Sequence, residues 1–256
     1  MRAAVLAQFA RVREAIGALT AEQLALPSGL GAWTVRELAA HLSMGIESVS
    51  RYLEEPERSQ AATVAAAGPV VVLAEWPFVT ARYAGDIAED VTALAVSAPP
   101  MELLDRAAHR IAGFLSDADD GRPLPTRVGA MSLGDYLVTR TVELIVHTDD
   151  LNRALGLSIP FERQALAACT RLLADALAVK VPGGSTEVRI PPYAVVQCVA
   201  GPRHTRGTPP NVVETDPLTW IRLATGRTSW DDAVAEARVS ASGERADLSA
   251  LLPLMG

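Results

Sequence analysis

The chain has 256 residues, 49% of them hydrophobic and 21% charged, which is enough to build one large core or two ordinary ones and excludes a disordered protein. No apolar run approaches the roughly 18–20 residues of a membrane span, and the charged, helix-periodic N-terminus is unlike a signal peptide, so we expect a cytoplasmic protein. The net charge is −7 and neither half carries a basic stripe, which argues against a nucleic-acid partner.

Helical spacing of apolar side chains dominates the first 157 residues. Thr34 with Glu37 predicts a capping box at the start of the second helix, and Gly156 is a typical end for the last one. The segment DADDGRPLPTRVG, residues 117–129, is predicted to be a polar loop. The predicted helices cover about 2–25, 34–55, 75–97, 101–117 and 132–156. Four or five long helices without a strand signal favour an antiparallel bundle over residues 1–157.

The pattern changes after Gly156. A helix near 161–179 is followed by short β-type runs between Pro and Gly residues, and Asp216 is a typical N-cap for a helix that ends at Gly226. The last residues predict a strand, a turn at Gly243 and a closing helix. The β-type runs are 186–190 and 194–200. We therefore predict an α+β protein, in which residues 158–256 form a smaller α+β domain after the bundle.

The two cysteines, Cys169 and Cys198, lie in apolar sequence without metal-type spacing. We interpret them as buried core thiols, because free cysteine is among the most frequently buried residue types.

One set of polar residues on the predicted bundle helices can carry chemistry. His41 lies in an apolar stripe of the second helix, and Glu143 and His147 share one face of the last helix. Taken alone, His41 is typical of a core histidine, and Glu143 with His147 is typical of a solvent-exposed pair on a helix. Together, two histidines and one carboxylate make the ligand count of a catalytic zinc site with an open fourth position.

Two further residues lie one helical turn away from these candidates. Asp150 is spaced to accept the outer ring N–H of His147, or it simply lies near the helix end. Arg140 is spaced to form a salt bridge with Glu143 or to hold a substrate carboxylate.

The motifs WTVRELAAHLS (33–43) and ELIVHTDDLNRALG (143–156) resemble those of the mycothiol-dependent maleylpyruvate isomerases, within the wider DinB/YfiT-like superfamily. The resemblance covers residues 1–157 and implies a metal-binding bundle. It also implies that His41, Glu143 and His147 hold a divalent ion, usually zinc. Asp150 and Leu151 match the Asp-Leu of the second motif. The chain has a single lysine among its 23 basic residues, and this arginine bias fits an actinobacterial source, where mycothiol is the low-molecular-weight thiol.

The second half resembles a sterol-carrier-protein-like domain. The resemblance lies in the pattern and order of two segments, DPLTWIRLATG followed by ARVSASGERADLSALLPLM. The segment GPRHTRGTPPN, residues 201–211, departs from the isomerase pattern. It is either a rigid connection between strands or a cluster that presents Arg203, His204 and Arg206 to an anionic ligand. Under the second interpretation Arg203 or Arg206 faces the metal cleft, with Arg140 as the bundle's contribution.

Both cysteines lie outside the metal motifs, so a thiol that acts at the metal would have to come from outside the chain. The resemblance implies that this cosubstrate is mycothiol. The expected activity is thiol-dependent isomerisation of, or S-transfer to, a small unsaturated or electrophilic substrate. Two other classes stay open: a carrier of lipid or another hydrophobic ligand with a structural metal site, and a metal-binding scaffold without activity.

Overall fold

The computed structural model describes residues 1–54, 68–201 and 210–255. The chain divides into two compact units, one formed by residues 1–71 and 82–166 and the other by residues 72–81 and 167–256. This division falls inside a long helix, Arg163–Lys180. The domain boundary placed after residue 157 from the sequence stays a prediction.

The first unit is mainly helical. Its helices are α1 (Arg2–Gly17), α2 (Ala21–Leu24), α3 (Val35–Glu54), α5 (Ala84–Ser97), α6 (Pro100–Leu115) and α7 (Leu133–Leu155), and α4 (Trp76–Thr80) belongs to the second unit. The long helices bury apolar side chains at helical spacing, as in α6, where Leu104, Ala107, Ile111 and Leu115 are all buried. Helix α3 packs against α5, α6 and α7, and α1 packs against α6 and α7.

Two of the predicted helices are interrupted in the structure. The first ends at Gly17, and Thr20 then caps the separate turn α2 through a reciprocal capping box with Gln23. The predicted helix 75–97 divides into α4 and α5, separated by the 3₁₀ turn Ala81–Tyr83. Pro77 lies in the first turn of α4, where its missing N–H breaks no helical hydrogen bond.

The predicted polar loop at 117–129 was wrong in its second half, because it contains a strand. Strands β1 (Pro123–Thr126) and β2 (Gly129–Ser132) form an antiparallel hairpin just before α7. Gly129 has φ 137°, and a Cβ there would lie 2.6 Å from the carbonyl oxygen of Pro69. The close backbone approach therefore requires glycine. The prolines of β1 concealed the strand, since they are typical of turns as well as of edge strands.

The second unit contains a four-stranded mixed sheet in the order β4-β3-β5-β6. Strand β3 pairs antiparallel with β4 and parallel with β5, and β5 pairs antiparallel with β6. Val188 and Val213 are opposite one another in the two central strands and are both buried. The elements are α8 (Arg163–Lys180), β3 (Thr186–Ile190), β4 (Ala194–Cys198), β5 (Val212–Thr215), α9 (Pro217–Ala224), α10 (Trp230–Ala235) and β6 (Val239–Ser242).

The sequence predicted most of this unit and failed at its shortest elements. Strand β5 and helix α10 span four and six residues, too few for a periodic signal. The closing helix was wrong: the chain forms only the 3₁₀ turn Ser249–Leu251, because Pro253 prevents a helix from continuing. Cys169 and Cys198 are both fully buried, as predicted.

The helical bundle followed by a smaller sheet-containing region agrees with the predicted α+β class. Within the described ranges, no helix combines the length and apolar character needed to cross a membrane.

Candidate metal centre

Two capped helices carry the candidate ligands. His41 lies on α3, whose first turn is tied to Thr34: the Thr34 backbone N–H donates to the Glu37 carboxylate at 2.9 Å, and the Thr34 hydroxyl donates to the same oxygen. Glu143 and His147 lie on α7. This helix begins after Ser132, whose Oγ accepts from the backbone N–H of Asp135 at 3.1 Å. The packing of α3 against α7 is what brings the two sequence motifs together.

The three candidate ligand side chains converge on one carboxylate oxygen. Oε2 of Glu143 lies 3.0 Å from Nε2 of His41 and 3.3 Å from Nε2 of His147. The two imidazole rings meet edge to face, with centroids 4.8 Å apart. One ligand atom from each residue can be chosen so that all three lie within 4.8 Å of one another. The structure therefore brings together the three residues that the sequence selected as ligands.

Asp150 lies behind His147. Its Oδ2 is 2.9 Å from Nδ1 of His147, and only 4% of the Asp150 side chain is exposed. A buried carboxylate at this distance accepts the Nδ1 proton, which selects the tautomer with a free lone pair on Nε2. The Nε2 lone pair of His147 then points towards Glu143.

Burial and hydrogen bonding move the pKa values of these groups in different directions. Burial lowers the pKa of His41 below its ordinary value. Burial also opposes the charged form of His147, but hydrogen bonds to Asp150 and Glu143 outweigh it and raise the pKa of His147. Burial alone would raise the pKa of Glu143, yet its hydrogen bonds with His147 and His41 hold that pKa well below the ordinary value. Glu143 is therefore ionised at neutral pH.

This arrangement requires a positive charge. A neutral His147 with its proton on Nδ1 directs a lone pair at an ionised carboxylate oxygen, and two lone pairs facing one another repel unless a cation lies between them. Without a metal, a proton on His147 supplies that charge, in agreement with its raised pKa. A divalent ion would supply it equally well. In a tetrahedral site with ligand bonds of about 2.0–2.1 Å, neighbouring ligand atoms would lie about 3.3 Å apart. The distances from Oε2 of Glu143 to the two histidine nitrogens, 3.0 and 3.3 Å, are close to that value.

A small cavity adjoins two of the three candidate ligands. Its volume is about 10 Å³, room for the centre of one water-sized group. Apart from the polar atoms of its histidine, glutamate and arginine, its walls are aliphatic. The lining residues are His41, Leu42, Gly45, Ile46, Arg140, Glu143 and Leu144. The three candidate ligands thus have an open side, formed by this cavity, that is large enough for one further water-sized ligand.

Arg140 lies on this open side. Its Cζ is 4.6 Å from the centroid of the Tyr136 ring, and its Nη1 lies 3.4 Å from where a Cβ on Gly45 would be. It does not form the salt bridge with Glu143 that the sequence spacing allowed; among the described residues its polar contact is a 3.2 Å hydrogen bond from Nε to Oγ1 of Thr139. Arg203 and Arg206 lie outside the described residues, so their part in the site stays a prediction.

Sequence reasoning missed three neighbours of the site. The Trp33 ring lies 5.3 Å from the His41 ring between centroids, and the Tyr136 hydroxyl is hydrogen-bonded to Ser48 Oγ at 2.7 Å. Tyr136 precedes Arg140 by one helical turn, a spacing that would have found their contact. Trp33 opens the first motif, but nothing in its spacing predicts a ring contact with His41.

Comparison with known proteins agrees with the architecture. Residues 5–152 match the family described as mycothiol maleylpyruvate isomerase N-terminal domain, and residues 162–254 match the family described as bacterial SCP ortholog. No curated protein matches.

Two solved structures share the fold. The crystal structure of the mycothiol-dependent maleylpyruvate isomerase aligns with a TM-score of 0.59 at 14% identity, covering 100% of this chain and 94% of the other. That of its histidine-to-alanine mutant aligns with the same TM-score and coverage at 13% identity. The resemblance predicted from the two motifs is confirmed. Since the first family match spans more than half of the chain, the protein belongs to the mycothiol maleylpyruvate isomerase N-terminal domain family.

Proposed function

We propose that this protein is a metal-dependent enzyme that uses mycothiol to isomerise a small unsaturated acid or to transfer the thiol to it. The observation that carries the proposal is the convergence of His41 and His147 on the ionised Glu143 carboxylate, beside a cavity. Family membership supplies mycothiol as the thiol. The proposal places the protein in the cytoplasm of an actinobacterium.

The proposed roles follow from the contacts. His41, Glu143 and His147 hold the divalent ion, for which zinc is the proposed identity, and Asp150 fixes the tautomer and ring orientation of His147. A bound divalent ion with an open position stabilises a thiolate at neutral pH, and so supplies a nucleophile. The aliphatic walls formed by Leu42, Ile46 and Leu144 limit the access of water to that position.

The nucleophile must come from outside the chain. Both cysteines are fully buried, and burial raises the pKa of Cys198 to about 11, so this thiol stays protonated at neutral pH. An external thiolate forms a C–S bond at an activated alkene while the alkene electron pair moves onto the conjugated carbonyl. After rotation about the former double bond, departure of the thiolate returns the electron pair to the alkene and gives the isomer. Protonation of the adduct instead gives the thioether.

The test uses full-length protein, purified without chelators and analysed for metal. The metal-loaded protein is incubated with maleylpyruvate, with and without mycothiol, and the products are followed by NMR. We expect about one divalent metal per chain and product formation only with the thiol. The isomer with unchanged thiol identifies an isomerase, and an accumulating thioether identifies an S-transferase.

Two results would contradict the proposal. One is protein that stays metal-free when zinc is supplied. The other is metal-loaded protein that converts neither maleylpyruvate nor a panel of small unsaturated acids when mycothiol is present. Native mass spectrometry of the same preparation tests the carrier alternative, because copurified lipid without thiol-dependent turnover would favour a hydrophobic-ligand carrier.

A further inference from the structure

The two candidate histidine ligands are supported in different ways. Nδ1 of His147 lies 2.9 Å from Oδ2 of Asp150, so a hydrogen bond fixes the plane of that imidazole ring. Nδ1 of His41 is buried, and among the described residues it has no hydrogen-bond partner. The His41 ring is hydrogen-bonded through Nε2, which lies 3.0 Å from Oε2 of Glu143. A hydrogen bond at one atom leaves the plane of the ring undetermined, so another group has to set the orientation of His41.

The indole ring of Trp33 packs against the His41 imidazole. The two ring centroids are 5.3 Å apart and the ring planes are tilted by 42°. Aromatic rings attract one another at centroid separations of about 4.5–7 Å, so the two rings are in favourable contact. The His41 ring also meets the His147 ring edge to face, with centroids 4.8 Å apart. Ring contacts with Trp33 and His147 therefore restrain the plane of the His41 imidazole, where His147 has a carboxylate.

The backbone of Trp33 is held in a tight loop that ends two residues before α3 begins. The Trp33 carbonyl accepts from the backbone N–H of Ser28 at 2.9 Å and from its hydroxyl at 2.8 Å. The Trp33 N–H donates to the carbonyl of Leu30 at 3.0 Å, and Ser28 itself is buried. Gly29 and Gly31 have φ values of 80° and 54°, which glycine adopts without strain. Both polar groups of the Trp33 backbone are therefore fixed.

The Trp33 side chain is supported from the core of the bundle. It is half-buried and packs against a buried apolar cluster to which α3, α5 and α6 each contribute. The members of this cluster are Ala40, Val91, Ala95 and Leu103. Burial of apolar surface holds the indole against the cluster, so the ring is a fixed surface for the imidazole to pack on.

We propose that Trp33 is the positioning residue of His41: its ring holds the imidazole in the orientation that directs Nε2 at Glu143. Asp150 does the same for His147 through a hydrogen bond. The inference rests on the proposed function for the ion that the two histidines hold, whereas the orientation of the ring can be measured without the ion. Replacing Trp33 should therefore weaken metal binding although it removes neither a ligand nor a charge.

The experiment measures the orientation of His41 and the affinity for zinc in the full-length chain. The chain has four histidines, so isotope-labelled histidine gives few ring signals, and the nuclear Overhauser cross peak between the His41 and His147 rings is followed in metal-free protein. We expect this cross peak to weaken in Trp33→Leu and Trp33→Met and to persist in Trp33→Phe, which keeps a ring. Zinc affinity should fall by about 2–10-fold in the Leu and Met variants, the ratio that corresponds to one aromatic pair. Trp33→Phe should restore most of it.

A matched control separates this role from a general effect of losing a tryptophan. Trp230 is also half-buried and lies in the second unit, at the start of α10. Trp230→Leu should leave both the cross peak and the zinc affinity at the wild-type values. Thermal unfolding of each variant shows whether the fold is intact. Methionine keeps more apolar volume than leucine, so Trp33→Met provides the test if Trp33→Leu does not fold.

The outcomes separate this inference from the proposed function. Wild-type zinc affinity in a folded Trp33→Leu or Trp33→Met protein would overturn the role of Trp33 and leave the metal-dependent function standing. A Trp33→Phe protein as impaired as Trp33→Leu would also overturn it, because the aromatic ring would then not be what orients His41. Conversely, a wild-type protein that binds no zinc, but whose cross peak depends on Trp33, would retain the positioning role and remove the proposed function.

Discussion

Both units of the chain bury hydroxyl and amide side chains, but among the described residues buried carboxylates and a buried histidine are found in the first unit alone. In the first, ionisable side chains lie inside the bundle: His147, Asp149 and Asp150 are each less than 9% exposed. In the described part of the second unit, the buried polar side chains are hydroxyls and one amide. They are Thr170, Ser185, Thr186, Asn211, Thr215, Thr219 and Thr225.

The difference lies in what satisfies these groups. In the second unit, the Thr186 hydroxyl donates to the carbonyl of Arg245 and the Thr225 hydroxyl donates to that of Ile221, so backbone carbonyls satisfy these hydroxyls. In the first unit, ionisable side chains pair with one another: His147 with Asp150 within α7, and His41 on α3 with Glu143 on α7. Burying a charge costs several kcal/mol unless it is paired, so a cluster of this kind is seldom kept for stability alone. The comparison supports the proposal that places the chemistry in the bundle.

The largest expected effect comes from removing one ligand. His41→Ala or His147→Ala should reduce the metal content from about one ion per chain to background, because two remaining ligands hold a zinc ion weakly. Metal analysis after dialysis against a metal-buffered solution measures this. His109→Ala is the matched control, since His109 is an exposed histidine on α6. Full metal content in either ligand variant would contradict the assigned set.

Acid should reverse metal binding in the wild-type protein. Metal binding requires unprotonated imidazoles, so protons compete with the ion; because the pKa of His147 is raised, the metal affinity should begin to fall above the ordinary histidine value of about 6.5 and should fall further below it. The raised pKa of His147 makes it the first ligand to be protonated as pH falls, and the lowered pKa of His41 makes that residue the second. Competition with a chromogenic chelator between pH 7.5 and 5 measures the affinity. A constant affinity over this range would argue against histidine ligation.

A smaller effect is expected from the residue behind His147. Asp150→Asn keeps the shape but weakens the acceptor for the Nδ1 proton, and loss of such a partner costs about 10–100-fold in metal affinity. Asp105→Asn, which removes a carboxylate from the surface pair with Arg13, is the control. Equal metal affinities in the two variants would mean that Asp150 does not orient the ligand.

The sequence predicted the features of this molecule that depend on a periodic pattern of apolar residues or on short spacings within one helix. Helical periodicity located α3 and α7, and spacings of three and four residues placed Glu143, His147 and Asp150 on one face. The position of His41 beside them depends on how α3 packs against α7, which no spacing within either helix contains. The motif resemblance supplied that link. The contacts of Arg140 with Tyr136 and of His41 with Trp33 depend on side-chain conformations, so they required the structure.

Short elements escaped prediction for a different reason. Strand β5 is held by pairing with β3 on one side and β6 on the other, and both partners are distant in sequence. Its four residues carry little preference of their own. Such strands are determined by the assembled sheet rather than by their own sequence.

The smallest expected effects concern the N-caps, which compare the two units directly. Ser132 accepts one backbone N–H at the start of α7, whereas Asp216 accepts those of Leu218 and Thr219 and the Thr219 hydroxyl at the start of α9. Replacing an N-cap by alanine costs about 0.5–2 kcal/mol, so each variant should be less stable, with Asp216→Ala the more affected because it loses more hydrogen bonds. Urea unfolding measures the change.

Zinc retention should distinguish the two variants further. Helix α7 carries Glu143 and His147, so Ser132→Ala should make zinc loss on heating start at a lower temperature, whereas Asp216→Ala should not change it. An equal effect of both caps on zinc retention would mean that stability of the bundle helix does not control the metal centre.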